Sequence, residues 1–373
     1  MKLAFSLFKY FPYGGLQRDF MAVARACQSR GHEITVFVME WHGEIPDGFS
    51  VRELKARSIS NHGKCLKYAK QLKLALEKER FDAVIGFNKV PGLDIYFAAD
   101  NCFVERHQKK HRWSACGSFR YKAYAALERS VFSSDGVKTI LVLTEQQKKS
   151  FIEYYKTSSD RFFLLPPNVD PQCVVLPESK LVAAELRDKF FVAKTDLMLL
   201  MVASDFKTKG LDRCLKAIAN LPKDIKSRVH FFVIGDGKRE RYQEMIRKLG
   251  IESRVIFLGP RDDVAQFYVA SDLLIHPAYN ETAGKVLVEA LACGLPVITT
   301  ENCGYASHIA NAGAGIVVQM PFKQQAFDDT LSNMLSDSTR RMKCRESALL
   351  YSSSIDLFTM IDSIVDRIEL LKS

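Results

Sequence analysis

The sequence predicts an α/β protein built as two domains, each around a parallel sheet. Three observations carry this. Short apolar, β-rich runs alternate with stretches of helical spacing, the pattern of parallel strands covered by helices on both faces. The length of 373 residues exceeds what one ordinary core fills. A proline-rich break, Leu165-Pro166-Pro167-Asn168-Val169-Asp170-Pro171, falls near the middle and cannot continue a helix.

In the first half, Lys2–Phe8 reads as a strand. Gln17–Arg30 follows with helical spacing of Phe20, Met21, Val23, Ala24 and Cys27, and Gly31-His32 ends it. Glu33–Met39, Phe81–Phe87 and Thr139–Thr144 are the next strands. In the second half, Leu197–Ala203, His230–Ile234, Val255–Leu258, Leu273–His276 and Pro296–Thr299 are strand-like, with helical stretches between most of them. This gives a first domain at 1–168 and a second at 169–355. The last helical stretch, Asp356–Leu371 within 356–373, is expected to cross back to the first domain. There is no internal repeat and no low-complexity tract.

Composition bounds the function. Apolar residues make up 47% and charged residues 26%, as in ordinary globular proteins. No apolar run reaches the ~20 residues that span a bilayer. Met1-Lys2-Leu3-Ala4-Phe5 runs straight into a strand without a small-residue cleavage site, and reads as mature sequence. The nine cysteines show no C-x-x-C spacing, so neither a zinc site nor a disulfide framework is expected, and a reducing cytoplasm fits. A net charge of +10 suits an anionic partner: nucleic acid, anionic lipid or a phosphorylated substrate.

The segment ETAGKVLVEALACGLPVITT, Glu281 to Thr300, places two carboxylates around a helix start. Leu273–His276 is the preceding strand and Val286–Ala292 the following helix. Ligands of open α/β sheets bind at the carboxyl ends of strands, where helix N-termini point. The N–H groups near Lys285, Val286 and Leu287 suit a diphosphate, and Ala283-Gly284 lets it approach the backbone. A carboxylate accepts two vicinal hydroxyls, which suits Glu289 to a ribose and Glu281 to a hexose. A second reading stays open on spacing alone: an amphipathic helix with one solvated glutamate and one charge favoured by the helix dipole.

This segment resembles the E-x7-E signature of retaining GT-B glycosyltransferases that use nucleotide-sugar donors. His276-Pro277 before it and Ala292-Cys293-Gly294-Leu295-Pro296-Val297 after it match as well. Over nearly the whole chain the resemblance is to the lipopolysaccharide core glucosyltransferases. It is carried by Lys9-Tyr10-Phe11-Pro12-Tyr13-Gly14-Gly15-Leu16-Gln17-Arg18-Asp19-Phe20, by Gly86-Phe87-Asn88-Lys89-Val90-Pro91-Gly92-Leu93-Asp94-Ile95-Tyr96-Phe97-Ala98-Ala99-Asp100, and by Cys303-Gly304-Tyr305-Ala306. The resemblance implies two Rossmann-like domains with parallel sheets facing a central cleft. It implies transfer of glucose from UDP-glucose to a heptose of the lipopolysaccharide inner core, with retention of configuration and without a metal or other cofactor.

Other segments have their own readings. Gly14-Gly15 lies between the first strand and first helix; it is a phosphate-approaching turn or a plain tight turn. It is not the G-x-G-x-x-G fingerprint, which weakens an NAD reading. In Ser204-Asp205-Phe206-Lys207-Thr208-Lys209-Gly210-Leu211-Asp212, Lys209-Gly210 matches the family's Lys-Gly. The family arginine is expected at Ser204, so Lys207 is a substitute source of charge. Cys173 stands where an arginine is expected after the linker. Lys209 is the expected stabiliser of the leaving diphosphate, since a lone cation beside a helix N-terminus is otherwise poorly placed. Ile234-Gly235-Asp236-Gly237 is a nucleotide-facing turn or an ordinary one. Arg261 either stacks on a uracil or forms an ordinary salt bridge. Glu281 is assigned to sugar binding or oxocarbenium stabilisation, and Asp19 and Asp100 to the acceptor side.

Residues 103–132 form a basic segment. Arg106, Lys109, Lys110, Arg112, Arg120, Lys122 and Arg129 oppose only Glu105 and Glu128, with Phe103, Trp113, Phe119, Tyr121 and Tyr124 interleaved. Such a segment suits an anionic membrane surface, single-stranded nucleic acid, or a solvated basic helix with its aromatics in the core. The resemblance favours peripheral association with the cytoplasmic face of the inner membrane. A nucleic-acid-binding protein ranks low, because no helix-turn-helix, RRM or zinc pattern occurs. Donors other than UDP-glucose (another UDP-hexose or a UDP-N-acetylhexosamine) and an epimerase-like relative are the remaining alternatives.

Overall fold

The computed structural model describes residues 1–12, 14–111, 117–175 and 178–372; the side chains of residues 109–111 and 372 are outside that description. Of the basic segment, Arg112, Trp113 and the side chains of Lys109 and Lys110 therefore lie outside the described residues, as does Tyr13 of the first family block.

The chain divides into two compact units, Met1–Pro166 with Thr359–Ser373, and Pro167–Phe358. The first is built on a seven-stranded sheet in the spatial order Phe49–Glu53, Glu33–Val38, Lys2–Ser6, Ala83–Gly86, Ile95–Ala98, Thr139–Val142, Phe162–Leu164. All its pairings are parallel. The strand order reverses between Lys2–Ser6 and Ala83–Gly86, which makes the carboxyl ends of those two strands the switch point. There the Phe8 N–H donates to Asn88 Oδ1 at 2.6 Å and ties the two strand ends together.

The second unit has a six-stranded parallel sheet in the order Val255–Gly259, Val229–Ile234, Leu197–Val202, Leu273–His276, Val297–Thr300, Gly315–Val318. Its switch point falls between Leu197–Val202 and Leu273–His276. These central strands read as unbroken apolar runs because helices cover both faces, and two apolar cores flank the sheet.

The helix Met360–Glu369 packs with the first unit, burying Met360, Ile364, Val365 and Ile368 in the same core as Leu3, Phe5 and Phe20. Arg30 at the end of helix Gly15–Ser29 pairs with Asp362 and Asp366 of that helix. The helix starts later than the Asp356 expected from sequence. Asp356 Oδ1 accepts the Phe358 N–H at 3.0 Å in a turn, and Leu357 is buried in the core of the second unit.

Most strand positions agree with expectation to within a residue or two at each end. Of the strands in the two large sheets that periodicity did not list, Phe49–Glu53, Phe162–Leu164 and Gly315–Val318 lie at sheet edges, and Ile95–Ala98, part of the apolar run before Asp100, is interior. An edge strand is covered on fewer sides, so its apolar pattern is weaker.

Candidate active site

The second unit builds its site from the two strands that flank its switch point. Leu197–Val202 runs into a loop carrying Lys209. Leu273–His276 runs into a loop carrying Glu281, after which Gly284 caps the helix Lys285–Ala292. The two loops are bonded to each other: Tyr279 N–H donates to the Thr208 carbonyl at 2.8 Å, and the Arg213 guanidinium donates to the Pro277 carbonyl at 2.9 Å. Arg213 is itself stacked between the Tyr279 and Phe322 rings, 3.6 and 3.7 Å from their centroids.

Gly210, at φ +82°, makes this approach possible. A Cβ there would stand 2.2 Å from the Pro277 carbonyl oxygen. Gly235, at φ +133°, plays the same part beside the Ala203 carbonyl, which a Cβ would meet at 1.8 Å.

At the junction, Lys209 Nζ donates to Glu281 Oε2. His276 Nε2 approaches the same oxygen at 3.4 Å. Oε1 of Glu281 accepts no hydrogen bond among the described residues. Both partners of the ion pair are mostly buried, at 18% and 16% exposure, and His276 is at 1%. Burial pushes the Glu281 carboxyl up. The His276 hydrogen bond and the Lys209 charge outweigh that and bring it down to about 2. The loop is clamped from the other side: Glu281 N–H donates to the Asn302 carbonyl at 3.2 Å, and Gly304 N–H to the Glu281 carbonyl at 3.2 Å. The Cys303-Gly304-Tyr305 block thus has a structural task.

The other expected donor residues sit around this pair in different ways. Leu287 N–H is taken by the Gly284 carbonyl at 2.9 Å, and the Leu287 side chain is in the core. Lys285 and Val286 therefore supply the available N–H groups of the helix start, beside partly buried Ala283. Glu289 accepts from Tyr268 Oη at 2.8 Å. Lys207 is exposed, on a turn that Asp205 caps by accepting the Lys207 N–H at 3.1 Å. Asp236 is exposed beyond Gly235. Arg261 is held in a two-point pair by Asp263, both contacts at 2.6 Å, and its guanidinium lies 5.0 Å from the Phe267 ring centroid. Cys173 is buried, and Cys293 Sγ donates to its carbonyl at 3.3 Å.

In the first unit, Gly14 is the N-cap of helix Gly15–Ser29 with φ −84°, a conformation open to any residue. Gly15 opens the helix, and a Cβ there would have no neighbour within 4 Å. Asp19 lies half-buried in that helix, and Asp100 is exposed just past strand Ile95–Ala98. Sequence reasoning missed a buried carboxylate here. Glu128, fully buried, accepts from Lys89 Nζ at 2.5 Å, Tyr155 Oη at 2.8 Å, and the Phe103 and Val104 N–H groups at 2.8 and 3.1 Å. It caps the helix Phe103–His111 from below. Its only sequence signal was being an acid within a basic stretch.

Among the described residues, no group of three or more His, Cys, Asp or Glu is arranged to hold a metal ion. No helix among them is long and apolar enough to cross a membrane.

Two Rossmann-like units with parallel sheets are the architecture of the GT-B glycosyltransferases, and the Lys209–Glu281 pair lies at the switch point where open α/β sheets bind ligands. Comparison with known proteins agrees. The family model of glycosyl transferases group 1 matches residues 182–350, and that of glycosyltransferase family 4 matches residues 13–172. Lipopolysaccharide glucosyltransferase WaaG of Escherichia coli (strain K12) is 39% identical over 371 residues, covering 99% of this chain and 98% of that protein. The crystal structure of WaaG superposes with a TM-score of 0.91 over 98% of this chain and 99% of that one. Anabaena Alr3699/HepE, in a structure with UDP-glucose, matches with a TM-score of 0.74 at 18% identity over 99% and 100% of the chains, which bears on fold alone. The chain belongs to the glycosyltransferase family of WaaG.

Proposed function

We propose that this enzyme transfers glucose from UDP-glucose to a heptose of the lipopolysaccharide inner core, with retention of configuration. The observation that carries the reading is the Lys209–Glu281 pair, formed by two loops from opposite sides of a switch point, in a chain 39% identical to a lipopolysaccharide glucosyltransferase.

In this reading Glu281 offers Oε1 to the donor hexose and its charge to the oxocarbenium-like transition state. Lys209 turns its ammonium to the leaving diphosphate, assisted by the Lys285 and Val286 N–H groups and the helix dipole. Glu289, held by Tyr268, takes the ribose hydroxyls. Gly235 gives the nucleotide close access to the sheet end, Asp236 lies beside it, and Lys207 adds positive charge. Arg261 flanks the base, its plane fixed by Asp263. Charge compensation by these groups asks for no cofactor. The departing phosphate oxygen takes the acceptor proton, so no general base is required. In the first unit, the Gly14-Gly15 helix start, Asp19 and Asp100 serve substrate binding, the two carboxylates on the acceptor side.

The enzyme works at the cytoplasmic face of the inner membrane, held to anionic lipid through residues 103–132. Phe119 is 67% exposed there, next to exposed Arg120 and Lys122. Tyr121 and Tyr124 instead pack on Phe103, at 5.8 and 5.5 Å between ring centroids. Among the described residues of this segment, Phe119 is the exposed aromatic that serves as an anchor.

The test is a transfer assay on truncated inner-core lipopolysaccharide with a panel of UDP-sugars, read by product mass. One added hexose from UDP-glucose alone supports the reading. Addition from another UDP-sugar overturns the donor. UDP binding without transfer overturns the acceptor.

A further inference from the structure

We propose that His276 is a positioning residue for Glu281. Its Nε2–H holds the carboxylate in place while Lys209, the other partner of the same oxygen, engages the donor diphosphate. This rests on the reading of Glu281 and Lys209 given above.

His276 ends a central strand and is 1% exposed. Its carbonyl is held by Thr299 Oγ1 at 3.0 Å and by the Ala278 N–H at 2.9 Å, so the residue is fixed at both backbone and side chain. A carboxylate only accepts hydrogen bonds, so the imidazole donates through Nε2. Nδ1 is buried with no hydrogen-bond partner among the described residues. Buried polar groups are nearly always satisfied, and a ring that only filled space would cost less as phenylalanine. The one polar tie of this imidazole is to Glu281.

The two donors to Oε2 differ in kind. Lys209 ends a flexible four-carbon stem and can swing to a phosphate. His276 cannot move. When Lys209 leaves, Glu281 is a mostly buried carboxylate that needs another donor, or it loses both charge and orientation. The 3.4 Å approach of His276 Nε2 is long while Lys209 occupies the oxygen. It has room to shorten when Lys209 departs. His276 is thus the constant partner and Lys209 the exchangeable one.

A double-mutant cycle on the full chain tests this, with UDP-glucose transfer, UDP affinity and thermal midpoint measured for each variant. H276F should lower kcat by about tenfold to 100-fold, the cost of a slightly misplaced catalytic group, with donor KM nearly unchanged. In the E281A background the same change should add nothing, since the two residues act as one unit. H276Q keeps an N–H near the Nε2 position and should retain most of kcat, whereas H276N puts its N–H at the Nδ1 position and should not. This pair decides the matter if H276F fails to fold. Wild-type kcat in H276F, an equal loss from H276F in the E281A background, or equal kcat in H276Q and H276N would overturn the proposal. Wild-type kcat in E281A would instead overturn the underlying reading of Glu281.

Discussion

Two glutamates, the fully buried Glu128 of the first unit and the mostly buried Glu281 of the second, are built differently. Glu128 in the first unit has donors on both oxygens: Oε2 takes Lys89 and the Phe103 N–H, Oε1 takes Tyr155 and the Val104 N–H. Glu281 in the second unit has Lys209 and His276 on Oε2, and Oε1 accepts nothing among the described residues. Both carboxyls lie below the usual carboxylate range; burial pushes each up, and the cationic neighbour and hydrogen bonds overcome it. The charge state is therefore alike, and the number of committed lone pairs is not. A carboxylate that holds a fold together is saturated. The proposed sugar-binding role of Glu281 asks for what it has, an acceptor in reserve and a partner on a flexible stem.

This contrast can be broken most forcefully at Glu128. Glu128→Ala strands the Lys89 ammonium and uncaps the helix Phe103–His111, and should cost about 3–5 kcal/mol of stability, read from urea unfolding. Equal midpoints for variant and wild type would remove the distinction. Glu281→Ala should act in the opposite sense. We expect kcat to fall by about 10²–10³-fold, as for loss of one transition-state contact, with a smaller change in unfolding midpoint than Glu128→Ala.

The glycines sharpen the comparison. Gly210 sits at φ +82° against the Pro277 carbonyl, whereas Gly15 begins a helix in open space. Gly210→Ala should lose about 1–3 kcal/mol and disturb the Lys209 loop, while Gly15→Ala should stay within about 0.5 kcal/mol. Thermal melts of the two variants side by side check this.

The Glu281 pair also sets a pH dependence. The Glu281 carboxyl is depressed from 4.5 to about 2 in the folded chain. A depressed carboxyl contributes stability that is complete above its unfolded value and is lost as pH falls through the folded one. Stability should therefore decline between about pH 4.5 and pH 2, and Glu281→Gln should flatten that slope in urea midpoints. An unchanged slope would mean the pair contributes nothing there.

Sequence alone made the alternating strands and the linker legible, because central strands are long apolar runs, while the Lys209-Gly210 and Glu281 segments stood out through the family resemblance. It left out what depends on tertiary contact. His276 was visible only as part of a His-Pro pair, five residues before Glu281. Its role depends on the loop folding back. Lys89 and Glu128 are 39 positions apart, and nothing local links them. Gly14-Gly15, from its place after the first strand, read as a phosphate-approaching turn or a plain tight turn. In the structure Gly14 is the N-cap of a helix at φ −84° and Gly15 opens that helix, just after Lys9–Tyr10, which pairs with Glu40–Trp41 in a small two-stranded sheet.

The measurement that bears most directly on the central claim is calorimetric titration of UDP and UDP-glucose into wild type and Lys209→Ala. If the pair at the second switch point is the donor site, Lys209→Ala weakens both ligands together by at least about tenfold, the worth of a charged hydrogen bond. Equal affinity of wild type and Lys209→Ala for both ligands would contradict it.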